Sequence, residues 1–188
     1  MKIQWRASLK KIVFASLLLI GSANIPFTAD AVAVTPAPAF SAVALDGRTV
    51  NSSQLAGRAY IVNFFASWCP PCRAELPDMV VLQRKYARKG FTFIGIAVNE
   101  TDQTMRSFIR RYKINYPVLM VDDKLMATFS DLVDGGINGI PTSFVVNADG
   151  QVTEVFTGGK SRAEFERVIV GALTKRSSKQ PRQRGSGK

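Results

Sequence analysis

The sequence predicts an α/β fold: a central mixed β-sheet flanked by helices, with an N-terminal β-hairpin extension. Three observations support it. Two eight-residue apolar runs, "AYIVNFFA" (59–66) and "FTFIGIAV" (91–98), have the unbroken hydrophobicity of strands buried on both faces. Each is followed by a segment of helical periodicity. Farther on, "TSFVVN" and "QVTEVFT" flank Asn147-Ala148-Asp149-Gly150, a turn that calls for an antiparallel hairpin.

The elements follow in order. After a Pro/Ala linker, "VTPAPAF" (34–40), Asp46-Gly47 marks a turn between two short extended stretches. Ser52 or Ser53 is placed to cap a brief helical turn that ends at Gly57. Behind the first long strand, "PPCRAELPDMVVLQRKYARKG" (70–90) reads as a helix with Leu76, Met79, Val80 and Leu82 facing inward. It keeps a basic last turn and stops at Gly90, and Pro77 removes one backbone donor inside it, which predicts a kink. Thr101 or Asp102 caps the helix "DQTMRSFIRRYKI" (102–114), whose apolar face is Met105, Phe108, Ile109 and Tyr112. "PVLMV" (117–121) is a short strand and "KLMATFSDL" (124–132) a short helix. Ser161 with Glu164 forms a capping box that opens the last helix, "SRAEFERVIVGAL" (161–173). The order β-α-β-α-β-(α)-β-β-α implies a mixed sheet with helices on both faces.

A length of 188 residues with 46% apolar content predicts one domain with tails. The net charge of +11 would suit a nucleic-acid binder, but its distribution argues against one. Residues 1–33 hold four cations against one acid, and residues 175–188 hold six cations and no acid. The part between them is left at +2. The start, "MKIQWRASLKK", is basic, "IVFASLLLI" (12–20) is apolar, and "TADAVA" offers small residues in the spacing of a cleavage site. Residues 1–33 are therefore expected to be a signal peptide or membrane anchor. Ser22, Asn24, Pro26 and Thr28 favour cleavage over anchoring, because they interrupt the run a membrane span needs. Residues 34–174 form the expected domain, and 175–188 a basic disordered tail. The tail is either a solubilising end or a contact for anionic lipid or an acidic partner face. The expected location is the periplasm or the extracytoplasmic face of the membrane.

The chain has no histidine, which removes Ser-His and Cys-His catalysis and the commonest metal ligand. Zinc would need two ligands beyond the two thiolates. Cu(I) held by two cysteines remains an alternative. Cys69 and Cys72, the only cysteines, sit in "FFASWCPPCRAELP" (64–77). A bridge between them closes too short a loop to constrain the unfolded chain, so it is not a staple. Cys69 falls where a buried strand ends and a helix begins, and unpaired N–H groups there favour a thiolate. Pro70 and Pro71 suit a first helical turn. Cys69 is expected to be the exposed attacking thiol and Cys72, one turn in, the buried resolving thiol.

"VNFFASWCPPCRAELP" resembles the active-site strand–turn–helix of thioredoxin-fold oxidoreductases, and is most similar to the TlpA/ResA/CcmG-like group of exported thiol reductants. "GIPTSFVVNADGQV" (139–152) resembles that fold's cis-proline segment and hairpin, and "YKINYPVLMVDD" (112–123) the group's extra helix and strand. The resemblance covers roughly residues 36–173. It implies a thioredoxin-like fold and a thiol–disulfide oxidoreductase with no cofactor beyond the Cys69–Cys72 disulfide. It implies a cis Ile140–Pro141 bond against the disulfide, where client chains bind, and a Trp68 that shields the cysteines and meets partners rather than simply packing. Ordinary thioredoxins carry a buried acid where this chain has Asn63. Glu75, on the helix face of Cys72, takes the place of an acid that lies under the cysteines in the ResA-like group. It is read as the proton acceptor for Cys72, against the alternative of a solvated surface glutamate. Expected partners are disulfide-bearing clients, with apocytochrome c and copper-site proteins as candidates, and an upstream membrane thiol reductant. A periplasmic disulfide oxidase or isomerase is the alternative activity.

Overall fold

The computed structural model describes residues 35–174; the expected signal segment and basic tail lie outside them. The chain runs through β1 (Thr35–Pro36), β2 (Ser41–Val43), β3 (Thr49–Asn51) and β4 (Ala59–Phe65) to α1 (Pro70–Tyr86). It continues through β5 (Phe91–Ala97), α2 (Asp102–Tyr112), β6 (Val118–Met120) and α3 (Asp123–Ser130). β7 (Thr142–Val146), β8 (Gln151–Thr157) and α4 (Arg162–Thr174) complete it.

Every residue of β4 and β5 is buried, as their unbroken apolar runs require. They pair in parallel at the centre of a six-stranded sheet of order β1-β8-β7-β4-β5-β6. β7 and β8 pair antiparallel, so the sheet is mixed. β2 and β3 form the separate N-terminal hairpin. Alternation along β4 sends Phe64 to one face and Asn63 and Phe65 to the other. On the first face Phe64, Phe144, Phe40 and Phe129 of α3 form a ring cluster. On the second, Phe93 packs edge-on against Phe165 of α4, and Phe65 tilts against Phe108 of α2. Each buried ring contributes roughly 1.5–3 kcal/mol.

Four local details differ from or refine the sequence reading. The "linker" is partly strand: Thr35 and Pro36 pair with Val152 and Gln151, because the edge of β8 has backbone groups to satisfy. The short 3₁₀ turn Ser52–Leu55 is capped by Asn51, whose side chain accepts from Ser53 N, not by a serine of the turn. The helix α1 runs unbroken across Pro77. It passes into a 3₁₀ turn before stopping at Gly90, whose φ of 85° is the left-handed conformation that favours glycine.

Strand direction assembles the site. β4 and β5 are parallel, so both deliver their following segments to the same end of the sheet. β7 runs the other way, with Thr142 opposite Phe64, so the segment preceding it arrives at that end too. Residues 71 positions apart, Cys69 and Ile140, thereby come into contact.

Candidate active site

Cys69 is the N-cap of α1: its backbone is extended, and its sulfur accepts from Cys72 N at 3.4 Å. Pro70 fills the next position, where a missing N–H costs nothing. Cys69 and Cys72 are joined in a disulfide with Cα atoms 5.3 Å apart. Cys72 is 1% exposed, as expected of a resolving thiol, but Cys69 is only 3% exposed. The expected open attacking cysteine is therefore covered in the oxidised protein. Its sulfur lies 3.7 Å from the carbonyl oxygen of Ile140, on the loop that enters β7. The Ile140–Pro141 bond is cis, and Pro141 is buried while Ile140 is half-buried.

Trp68 is 54% exposed, so plain packing does not describe it. Its indole N–H donates to the carbonyl of Asn99 at 3.4 Å, and Asn99 holds a left-handed φ of 53°. The neighbouring Glu100 accepts from Ser67 N at 2.6 Å. The segment after β5 thus grips the backbone just before Cys69. Sequence reasoning missed Asn99 and Glu100, because a contact across 33 residues leaves no local pattern.

Glu75 is 4% exposed, which removes the solvated-glutamate reading. Its Oε1 accepts from Asn63 Nδ2 at 3.1 Å and its Oε2 from Lys160 N at 3.2 Å. The Asn63 amide also donates to Ser143 Oγ at 3.0 Å. Gly159 faces both the Pro71 carbonyl and the Glu75 carboxylate: a Cβ there would meet them at 3.5 and 3.7 Å. Gly159 therefore lies against both the turn that carries the cysteines and the acid. Burial pushes the Glu75 carboxyl up to about 7, and the donors from Lys160 and Asn63 only partly offset this. Burial, with the Glu75 charge nearby, also raises the phenol of Tyr116. Among the described residues no group of three or more His, Cys, Asp or Glu is arranged to hold a metal ion.

Residues 33–169 match the Redoxin family. The chain belongs to that family. It is 32% identical over 131 residues to the thiol-disulfide oxidoreductase ResA of Bacillus thuringiensis (strain Al Hakam), covering 69% of this chain and 72% of that protein. The crystal structure of a thiol:disulfide interchange protein of the thioredoxin family from Chlorobium tepidum TLS is 51% identical, with a TM-score of 0.73. That match covers 74% of this chain and 97% of the other. A secreted Mycobacterium tuberculosis disulfide oxidoreductase homologous to E. coli DsbE is 26% identical, with a TM-score of 0.61 over 70% of this chain and 95% of its own. With the helix-capping disulfide, these likenesses make this Redoxin member a thiol–disulfide oxidoreductase whose redox group is Cys69–Cys72. Its partners are disulfide-bearing client proteins.

Proposed function

We propose that the protein works outside the cytoplasm as a reductant of client disulfides, with Cys69 attacking, Cys72 resolving and Glu75 handling the proton. The client chain lies along Ile140 and Pro141 with its disulfide facing Cys69, and the exposed Trp68 contacts it. The Cys69 thiolate attacks one client sulfur; that S–S bond breaks, and the other client sulfur leaves as a thiolate and takes up a proton. Cys72 then gives its proton to the Glu75 carboxylate and attacks Cys69 Sγ. The mixed disulfide breaks, the client leaves with both cysteines reduced, and two electrons have passed from the protein to the client.

The buried Glu75 carboxylate carries this reading. With a pKa near 7, it can take and return a proton at neutral pH. Once ionised, it opposes a thiolate nearby. Strong oxidants of this chemistry owe their potential to a stabilised reduced form, so a carboxylate that disfavours the thiolate pushes the couple toward reduction of others. Export is supported by the N-terminal pattern of residues 1–33, read as a signal peptide or anchor, and by the secreted mycobacterial relative. The candidate clients are apocytochrome c haem-binding cysteines and copper-site cysteines, with electrons returned by a membrane thiol reductant.

Equilibrating the Cys69/Cys72 couple with glutathione tests the direction. A potential below about −200 mV is expected; a value near −120 mV, that of a strong oxidant, overturns the reductant reading. The pH dependence of thiol alkylation in wild type and Glu75→Gln tests the proton role, and identical profiles overturn it.

A further inference from the structure

Exposed cations gather at the end of the domain away from the disulfide. α1 and α2 both begin at the disulfide end, after β4 and β5, and run away from it. Seventeen helical residues carry α1 about 25 Å from Cys69. Exposed Arg84, Arg88 and Lys89 lie at its far end, and exposed Arg110, Arg111 and Lys113 at the far end of α2. Asn115, two residues past Lys113, donates to the Val80 carbonyl, so the end of α2 lies against the second half of α1. Among the described residues none of these six cations has a carboxylate within ion-pair distance; the bridges nearby use Lys85 with Glu166 and Arg48 with Asp46. At the disulfide end the acids Glu100, Asp102, Asp122 and Asp123 are instead mixed with the cations Arg73, Lys124, Lys160 and Arg162.

α4 leads to the same basic end. Glu166, in its second turn, already pairs with Lys85 and Tyr86 at the end of α1. Two further turns reach Thr174, after which the sequence adds six cations and no acid.

We infer that the end of the domain opposite the disulfide docks on an anionic lipid surface and turns the disulfide away from the bilayer. Unpaired cations gathered on one end meet lipid phosphates at little desolvation cost. The disulfide end mixes both signs, so the surface draws in the basic end, and the place of that end opposite the disulfide sets orientation as well as affinity. The six cations that follow Thr174 with no acid among them suit the continuous negative charge of a lipid surface better than the bounded acidic face of a protein.

Full-length protein is mixed with vesicles of 30% phosphatidylglycerol in phosphatidylcholine and with vesicles of phosphatidylcholine alone. One variant carries Arg88→Gln, Arg111→Gln and Lys113→Gln; a second carries Gln at all six cations of 175–188. The expected result is salt-sensitive binding that needs phosphatidylglycerol and weakens more than tenfold in the triple variant, while client reduction in solution is unchanged. At roughly 1 kcal/mol for each cation near the surface, three cations suffice for that loss. Binding that the triple variant keeps in full, or binding equal on both vesicle types, overturns the inference. Tighter retention by a short DNA duplex than by the anionic vesicles at the same salt also overturns it.

Discussion

The two ends of α1 use charge in opposite ways. At the start, Glu75 is taken out of water and held by two donors, so its ionisation responds to a few ångströms of surroundings. At the end, Arg84, Lys85, Arg88 and Lys89 stay in water, and Lys85 meets Glu166 in a half-exposed bridge. A buried charge changes local chemistry because its desolvation is large; a solvated one acts weakly at short range and only in numbers at long range. The difference teaches that substitutions at the disulfide end are read in chemistry, and those at the far end in association.

Substituting the cysteines gives the largest contrast. Cys69→Ser is expected to lower client reduction to background, while Cys72→Ser accumulates a mixed disulfide visible on a non-reducing gel. A trapped complex through Cys72 in the Cys69→Ser protein instead would reverse their order.

The next effect lies in stability against pH. In the oxidised fold the Glu75 carboxyl is raised from 4.5 to about 7, so between those values the folded state binds more protons than the unfolded one. Stability from this group is full below pH 4.5 and is lost as pH rises through 7, an amount of about 3 kcal/mol by linkage. Glu75→Gln should flatten that slope in urea titrations between pH 4.5 and 7.5. A slope that survives the substitution belongs to another group.

Asn63→Leu comes third. It removes a donor from Glu75 and from Ser143, so it should raise the Glu75 carboxyl further and cost about 1–3 kcal/mol at neutral pH. Of similar size is Gly95→Ala in β5, where a Cβ would lie 2.8 Å from Phe65 Cε1; crowding there should cost about 1–3 kcal/mol in the same titration. The smallest effect is expected of Lys85→Ala, which breaks the solvated bridge to Glu166 and an exposed cation–π contact with Tyr86 and should leave the denaturation midpoint unchanged within error. If it matches Asn63→Leu, the contrast between the two ends fails.

The strands β4 and β5, the capping box of α4 and the position of Cys69 at a helix start were legible without coordinates. Each rests on residues within one or two turns of each other, where side-chain periodicity, proline and capping chemistry act directly. The pairing of β1 with β8 was not, since a two-residue edge strand has no period to read. Nor was the grip of Asn99 and Glu100 on the loop before Cys69.

By itself the sequence determined the element order after β1, the cysteine pair and its spacing, and, through resemblance, the proline that meets it. Only the tertiary structure decided that Glu75 is buried and Trp68 exposed, that Cys69 is covered in the disulfide, and that exposed cations gather at the end away from it. Burial and field depend on what the rest of the chain places around a side chain. Neighbours such as Lys160 and Ile140 stand 85 and 71 residues from the groups they modify.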